Sequence, residues 1–494
     1  MAAPERISEV SMQAGAQLSE TGVLPELLSR LACPACVSTE LTATADRLKC
    51  TQCDTEFPIY RNGSADIPWL FSDPESTLLE WKSRLNGFLH NNWAEQTKLR
   101  KAKKSKSLSA LTKNRLSLLL EGRMTQRIQV SELLAPLDLE CVNFDKGRDP
   151  ASLLRSRVPK AQGLSSYYNN IFRDWCWDNG ENEQQFEALK SVVSDIAAAT
   201  LGATLTLGAG SGRLAYDIHR TFNPKLSVAI DINPLLMFAA SKVMFGESVP
   251  LVEFPVAPLN EAAFAMNQEC FAPKPLTKDA KFAFLFADGL NPPCADASFD
   301  TVITPWLIDI IPQNLRDFAL SVNRLLPTGG QWINTGSLAF FHKDIMQCLS
   351  EEEAFEQIEK CGFEIIATDR RRIPYLQSPL SAHWRTESVL SFCARKTHDV
   401  EETRLFRHLP AWLIDTSSAV PGLQEFSVAS SDHLLRAQIL AAIDGKRSID
   451  DIGTSLAREY GLKQAEAQNA VRRILMDLYE TQAQGTPDGM QDLG

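Results

Sequence analysis

The chain has 494 residues, and at roughly 150 residues per domain this length predicts about three domains, each able to bury its own core, and excludes one small unit. Lys plus Arg total 50 against 61 for Asp plus Glu, a net charge of −11 that disfavours a surface coated with basic residues for nucleic acid but allows a local basic patch. The composition, 44% hydrophobic and 22% charged, is that of a soluble globular chain, and with no apolar run of about 18 residues and no signal-peptide pattern at the start, a cytoplasmic location without membrane contact is expected.

Four of the 11 cysteines fall within one short segment, read as a first domain over residues 25–71. Cys33 and Cys36 form one CxxC and Cys50 and Cys53 a second, thirteen residues on, a spacing that lets two knuckles face each other across a hairpin. CxxC also occurs in redox dithiols, but two matched pairs in so short a segment read as a closed, structural tetrathiolate Zn²⁺ site. With so little core of its own, such a unit draws most of its folding free energy from the metal.

Residues 72–160 read as a helical, locally basic connector. The run Lys98-Leu-Arg-Lys-Ala-Lys-Lys-Ser-Lys106, preceded by Trp81 and Trp93, is either a solvated helix face or flexible connector or a surface for nucleic acid or an acidic partner, and the solvated face or connector is preferred. Asp149-Pro150 marks a boundary.

Residues 161–397 alternate strand-like and helix-like stretches as a doubly wound α/β sheet requires. Ala203–Leu207 reads as a buried strand running into Gly208-Ala-Gly-Ser-Gly-Arg213 and a helix over Leu214–Arg220. Leu226–Ile230 ends at Asp231, Lys281–Phe286 leads to Asp288, Phe299–Thr304 runs into Pro305, and Leu326-Pro-Thr-Gly-Gly330 precedes Gln331–Thr335. Gly208, Gly210 and Gly212 stand between a strand and a helix, where backbone passes close to a ligand. The spacing lacks the third glycine of the pyrophosphate fingerprint, so one nucleoside fits better than a dinucleotide. Asp231 is placed to accept both hydroxyls of a ribose diol, and Asp288 to meet an adenine amino group.

Residues 408–480 read as a small helical domain: Asp432–Ile443, a turn at Asp444-Gly445, Ser448–Tyr460 capped by Gly461, and Lys463–Tyr479.

The order GAGSGR, acidic strand end, ADG, FDTVIT and LLPTGGQWIN resembles the class I S-adenosylmethionine-dependent methyltransferases. Together with Ile171-Phe-Arg-Asp-Trp175, Val302-Ile-Thr-Pro-Trp-Leu-Ile-Asp309 and Glu387-Ser-Val-Leu390, it resembles the carnosine N-methyltransferase family. The resemblance implies a Rossmann-like methyltransferase domain that takes S-adenosyl-L-methionine. It places Asn170, where the family has glutamine, and Arg173 at cofactor positions, beside Gly208, Gly210, Asp231 (glutamate in the family) and Asp288. Asp309 falls on the aspartate that grips the substrate imidazole. The family's histidine falls at Phe341, with His342 one position later as the candidate. Trp384 and Thr386 stand where the family has tyrosines, with His383 nearby.

Two flanking resemblances complete the picture. The cysteine segment, with LxCPxC, the second CxxC and Phe57-Pro-Ile59, is similar to zinc-ribbon proteins that activate methyltransferases. The last domain is similar to peptide-binding winged-helix domains, chiefly in Ile439–Arg447 and the helix from Lys463; such domains grip a peptide by strand addition, and a purely structural cap is the equal alternative to a peptide or protein partner. The predicted whole is therefore a Rossmann-like doubly wound methyltransferase domain with an N-terminal zinc ribbon and a C-terminal winged-helix-like domain. The expected function is N-methylation of an imidazole-bearing acceptor, a histidine-containing small molecule or peptide. Methylation of RNA or another nucleophile, and a non-catalytic cofactor-binding regulator, are the alternatives.

Overall fold

The computed structural model of the protein describes residues 23–138, 163–194, 201–311, 314–340, 345–400, 419–422 and 424–483. After a four-residue helix α1 (Pro25–Leu28), the cysteine-rich segment forms an antiparallel meander: β1 (Leu41–Ala43), β2 (Arg47–Cys50), β3 (Glu56–Asn62) and β4 (Ala65–Leu70). Each CxxC is followed at once by a residue in the left-handed region, Val37 at φ 61° and Asp54 at φ 57°. The Val37 amide donates to the Cys33 carbonyl at 2.8 Å and the Cys50 amide to the Thr55 carbonyl at 3.0 Å, closing two tight knuckles.

The described part of the expected connector is two long helices, α2 (Pro74–Lys103) and α3 (Ala110–Leu133), packed as a hairpin, and the Asp149-Pro150 boundary lies outside the described residues. Asp73 caps α2 by accepting from the Ser76 amide, and Ser109 caps α3 through the Thr112 amide. Arg100, Lys101 and Lys103 occupy the last turn of α2, where cations offset the negative end of the helix dipole. Lys98 pairs with Glu95 at 3.0 Å, and Arg100 donates to Gln96 at 3.0 Å. The basic run thus has local structural work as a helix terminus.

The next segment opens with α4 (Tyr168–Trp175) and α5 (Glu181–Ser194). It continues β5 (Ala203–Leu207), α6 (Arg213–Phe222), β6 (Leu226–Asp231), α7 (Pro234–Met244), the antiparallel hairpin β7 (Val249–Glu253) and β8 (Met266–Cys270), then β9 (Phe282–Ala287) and β10 (Thr301–Pro305). It ends with α8 (Leu315–Leu325), β11 (Gln331–Gly336), α9 (Glu351–Lys360), β12 (Phe363–Tyr375) and β13 (Arg385–Lys396). Strands β5, β9, β10 and β11 are buried at every position, as an apolar run covered on both faces must be. Strand order is β1-β2-β3-β4-β9-β6-β5-β10-β11-β13-β12, with β9, β6, β5, β10 and β11 parallel and β13 antiparallel to both its neighbours. Order reverses between β5 and β10, the switch point where such sheets open a crevice at their carboxyl ends.

Strand β4 pairs in parallel with β9, Trp69 opposite Phe286 and Leu70 opposite Ala287, so the ribbon continues the methyltransferase sheet. Trp69 is fully buried there, its ring 4.8 Å from Phe71 and 5.2 Å from Phe286.

The chain divides into two compact units between Thr403 and Arg404. The second holds α10 (Gln424–Ala441), α11 (Ile449–Tyr460) and α12 (Gln464–Ala483), around a core of Ile439, Ile452, Leu456, Ala467 and Val471. Gly461 at φ 65° ends α11, as the sequence predicts, and Ser448 and Asp451 make a capping box at its start. Helix α10 begins eight residues before the predicted Asp432, because its polar first turns carry no apolar period. Among the described residues this unit has no strand, and so no edge for strand addition. Nor, among them, is any helix long and apolar enough to cross a membrane.

Candidate cofactor and acceptor site

The loop after β5 is built by glycine conformation. Gly208, Gly210 and Gly212 have φ of 66°, 59° and 83°, values that cost an L-residue roughly 1–2 kcal/mol each. Their surroundings separate their roles. A Cβ on Gly210 would meet nothing within 4 Å, an open cradle, whereas one on Gly212 would lie 2.4 Å from Met244 Cε. Gly212 is the N-cap residue of α6 and lets that helix pack on α7, so the structure gives it a packing role. A Cβ on Gly208 would touch the Leu307 side chain at 3.0 Å, on the far side of the switch point.

Asp231 ends β6 facing this loop. Its Oδ2 accepts from the Gly210 amide and its Oδ1 from the Asn233 amide, both at 2.8 Å. Burial pushes the carboxyl up to about 6, against the pull of these amides. Each oxygen keeps a lone pair for a ribose hydroxyl. Asp288, just past β9, is exposed, and its Oδ1 accepts from the Leu290 amide at 2.9 Å, an Asx turn that fixes the carboxylate at the strand end.

Helix α4 is stitched to the glycine loop from the other side. Ser211 Oγ donates to Asp174 Oδ2, Trp175 Nε1 donates to the Ser211 carbonyl at 2.8 Å, and Arg213 Nη1 donates to the Asp174 carbonyl at 2.8 Å. Motifs some forty residues apart in sequence therefore form one wall. Arg173 is buried, with Nε 2.7 Å from Asp174 Oδ1. Burial opposes its charge, and Asp174, Tyr375 and Glu181 outweigh that opposition. Asn170 Oδ1 is buried with no hydrogen-bond partner among the described residues. A buried orphan acceptor costs about 1–3 kcal/mol, so it fits a site where a ligand donor completes it.

Across the switch point, Asp309 Oδ2 accepts from Ser337 Oγ at 2.7 Å and from the Ala339 amide at 3.3 Å. Burial raises its carboxyl above the ordinary range, and the nearby Glu387 charge adds to the rise. His342 and Phe341 lie outside the described residues.

The four cysteine Sγ atoms lie within 4.8 Å of one another, with Cys33 and Cys53 3.7 Å apart and Cys36 and Cys50 3.6 Å apart. A tetrahedron with Zn–S bonds of ~2.3 Å has edges of roughly 3.8 Å. The Cys33–Cys53 and Cys36–Cys50 pairs match that edge, and all four thiols lie close enough to hold one Zn²⁺.

The sequence model for carnosine N-methyltransferase matches residues 152–398, half of the chain. The chain belongs to the carnosine N-methyltransferase family. It is 32% identical over 113 residues to carnosine N-methyltransferase unmet of Drosophila melanogaster, a match covering 22% of this chain and 24% of that protein. The chain thus spans about a quarter of the length of the curated relative it matches. Among solved structures, N-methyltransferase NodS from Bradyrhizobium japonicum aligns at 12% identity over 45% of this chain and 99% of that chain, with a TM-score of 0.30. Haemonchus contortus phosphoethanolamine N-methyltransferase 2 aligns at 16% over 48% and 58%, with a TM-score of 0.31. A Haloferax volcanii complex between the Trm112 methyltransferase activator and a methyltransferase aligns at 14% over 48% and 99%, with a TM-score of 0.33.

Within this family member the structure brings Asn170, Arg173, Gly208, Gly210 and Asp231 together around the glycine loop and sets Asp309 beyond the switch point. Sequence reasoning missed three further wall residues. The centre of the Tyr375 ring lies 5.9 Å from the Arg173 guanidinium and 4.5 Å from that of Arg385, with the Trp306 ring 4.9 Å away. Trp306 has φ 50° and a buried Nε1 without a partner among the described residues, strain of the kind that collects at ligand sites. Glu181, at the start of α5, accepts from the Leu376 and Gln377 amides at 3.0 Å each and so holds the end of β12. Only the strand register, Tyr375 opposite Arg385, reveals this wall, and no motif signals it.

Proposed function

We infer that this chain is an S-adenosylmethionine-dependent N-methyltransferase whose acceptor bears an imidazole. The observation that carries the reading is the pairing, across one switch point, of a nucleoside-shaped donor side with a single desolvated carboxylate, Asp309. On the donor side, Gly210 leaves room for a ligand, Asp231 offers two oxygens to a diol, and Asn170 Oδ1 awaits a donor. Arg173 and Asn170 would hold the polar amino-acid end of the cofactor, and Asp288 the adenine. The cofactor, when bound, supplies an electrophilic methyl group on a sulfonium.

The rest is done by the chain. Asp309 is held by two donors on Oδ2, the Ser337 hydroxyl and the Ala339 amide, with its own amide against the carboxyl. A carboxylate accepting from one imidazole N–H fixes the tautomer and presents the lone pair of the other nitrogen to the methyl group. As that nitrogen bonds carbon, the ring gains positive charge, and Asp309 with Glu387 beside it stabilises that charge more than the neutral ground state. The Cys33, Cys36, Cys50 and Cys53 site would hold Zn²⁺ as a staple, with the ribbon docked and stabilising rather than catalytic. We carry the division into ribbon, connector, methyltransferase domain and C-terminal helical domain on the same footing.

The test is transfer of a labelled methyl group from S-adenosylmethionine to histidine-containing small molecules and peptides, with the product located by mass spectrometry. One methyl on an imidazole nitrogen, with matching S-adenosylhomocysteine, supports the assignment. Cofactor binding without turnover of any imidazole overturns it.

A further inference from the structure

The hairpin of α2 and α3 is pinned along its stem and bare at its turn. Arg115 lies over the Phe264 ring at 5.3 Å, Gly122 lets α3 approach Ala265 and Phe254, and Gln129 Nε2 donates to Asn267 Oδ1 at 2.7 Å, so α3 is held against the β7–β8 hairpin. At the turn, Lys101, Lys104, Lys106 and Lys113 are exposed, and none of their ammonium groups has a hydrogen-bond or ion-pair partner among the described residues. Between Glu95 and Glu121 the chain carries eight Lys or Arg and no Asp or Glu, within a chain of net charge −11. The acidic remainder repels a polyanion and confines its contact to this turn.

Local helix electrostatics account for only part of this charge. Cations in the last turn of α2 offset the dipole there, but Lys106 lies past the helix end. Lys113 stands in the opening turn of α3, the positive end of that helix, where a cation is unfavourable and no acidic residue compensates it. A bound anion relieves both. On α2, Arg100 and Lys104 follow Trp93 by seven and eleven residues and so share its face, a stretch of roughly 16 Å. Trp93 is 46% exposed, and the exposed His90 ring lies 6.4 Å from it, their planes 34° apart.

Two exposed rings beside a row of cations fit unstacked bases on a phosphate backbone. An anionic membrane meets the charge, but an interfacial helix inserts an apolar face, and Leu111 is the one large apolar side chain exposed near the turn. An acidic peptide meets the lysines and leaves the rings unused. Asn114 and the mutually bonded Ser105 and Ser107 hydroxyls, exposed at the same turn, offer acceptors to the 2′-hydroxyl that tells RNA from DNA. We propose that the turn of the α2–α3 hairpin, with Trp93 behind it, is a docking surface for single-stranded RNA. It uses none of the residues of the donor and acceptor sites and stands whether or not the acceptor is an imidazole.

The experiment uses the full chain and fluorescence anisotropy with a labelled, mixed-sequence single-stranded RNA of about 16 nucleotides. Unlabelled RNA, DNA of the same sequence, polyglutamate and phosphatidylserine vesicles, matched in charge, serve as competitors. Wild-type affinity is expected to fall linearly with salt on logarithmic axes. The triple variant Lys101→Gln, Lys104→Gln, Lys106→Gln is expected to bind at least about tenfold more weakly at low salt, with a salt slope shallower by about 2. Trp93→Ala is expected to bind about tenfold more weakly with the slope unchanged, and Trp93→Phe, which keeps a ring, to retain most of the affinity. All three proteins should keep the wild-type melting temperature, because the altered side chains are exposed. No RNA binding by the wild type, an unchanged slope in the triple variant, unchanged affinity in Trp93→Ala, or displacement of the RNA by polyglutamate or vesicles as readily as by itself overturns the proposal. Tighter binding of the DNA overturns the choice of RNA.

Discussion

The Gly210 amide donates to Asp231 Oδ2 at 2.8 Å, pinning the loop after β5 to the end of β6. That contact joins the two sides of the proposed donor site, and a ribose role for Asp231 would give cofactor affinity a pH dependence. Burial holds the Asp231 carboxyl at about 6, and hydrogen bonds donated by a ribose diol favour its ionised form. Affinity for S-adenosylhomocysteine is therefore expected to be flat above about pH 7 and to weaken as pH falls through about 6, approaching tenfold per unit. Asp231→Asn is expected to flatten the profile and to cost about 1–2 kcal/mol at pH 8. Calorimetric titration between about pH 5 and 8 decides the matter, and an unchanged profile in the variant would remove Asp231 from the ribose role.

The two glycines at either end of Gly210-Ser-Gly212 are expected to fail differently. An alanine at 212 would press its Cβ to within 2.4 Å of the buried Met244, adding overpacking to the left-handed strain for a loss of roughly 2 kcal/mol or more. An alanine at 210 meets open space and pays only the strain, about 1–2 kcal/mol, but fills the cradle. Gly212→Ala should lower the melting temperature more than Gly210→Ala, and Gly210→Ala should weaken cofactor binding at least about tenfold. The reverse pattern would exchange their roles.

Where the sequence could be read and where it could not follows from the range of each signal. Strand, glycine turn and acidic strand end are local patterns, so β5 with Gly208–Gly212 and β6 with Asp231 were legible residue by residue. The helix start at Ser448 and the stop at Gly461 were legible for the same reason. Asn170, Arg173 and Asp309 carried no local signal and came only from family resemblance. Pairing is nonlocal: nothing in Trp69-Leu70 specifies Phe286-Ala287 as partner, so the ribbon's continuity with the sheet was invisible. The Tyr375 wall was hidden likewise, because it depends on the register of β12 against β13.

Asp309 is expected to separate turnover from binding. It lies across the switch point from the glycine loop and is held by Ser337 and Ala339, with no contact to the donor side among its hydrogen bonds. Asp309→Ala is expected to lower kcat by at least about 100-fold, the scale of losing one preorganised electrostatic group, while cofactor affinity stays within about twofold. Ser337→Ala, which removes one of its two donors, should have a smaller effect of the same kind. Turnover retained in Asp309→Ala would refute its role.

The ribbon is expected to behave as a metal-dependent part of the sheet. Cys33 sits 3.7 Å from Cys53, and removing one of four thiolates leaves an open, weak site. Loss of the metal loosens the β1–β4 meander, and β4 reaches the methyltransferase sheet through Trp69 and Leu70 beside Phe286 and Ala287. Asp288 follows Ala287 directly, so its position is supported from the ribbon side. Elemental analysis of the wild type is expected to show one zinc per chain. Cys33→Ser, or removal of the metal by a chelator, should abolish it, lower the melting temperature by several degrees, and weaken cofactor binding by a few-fold through Asp288. A Cys33→Ser protein with unchanged zinc, stability and affinity would show that the four thiols are not a staple.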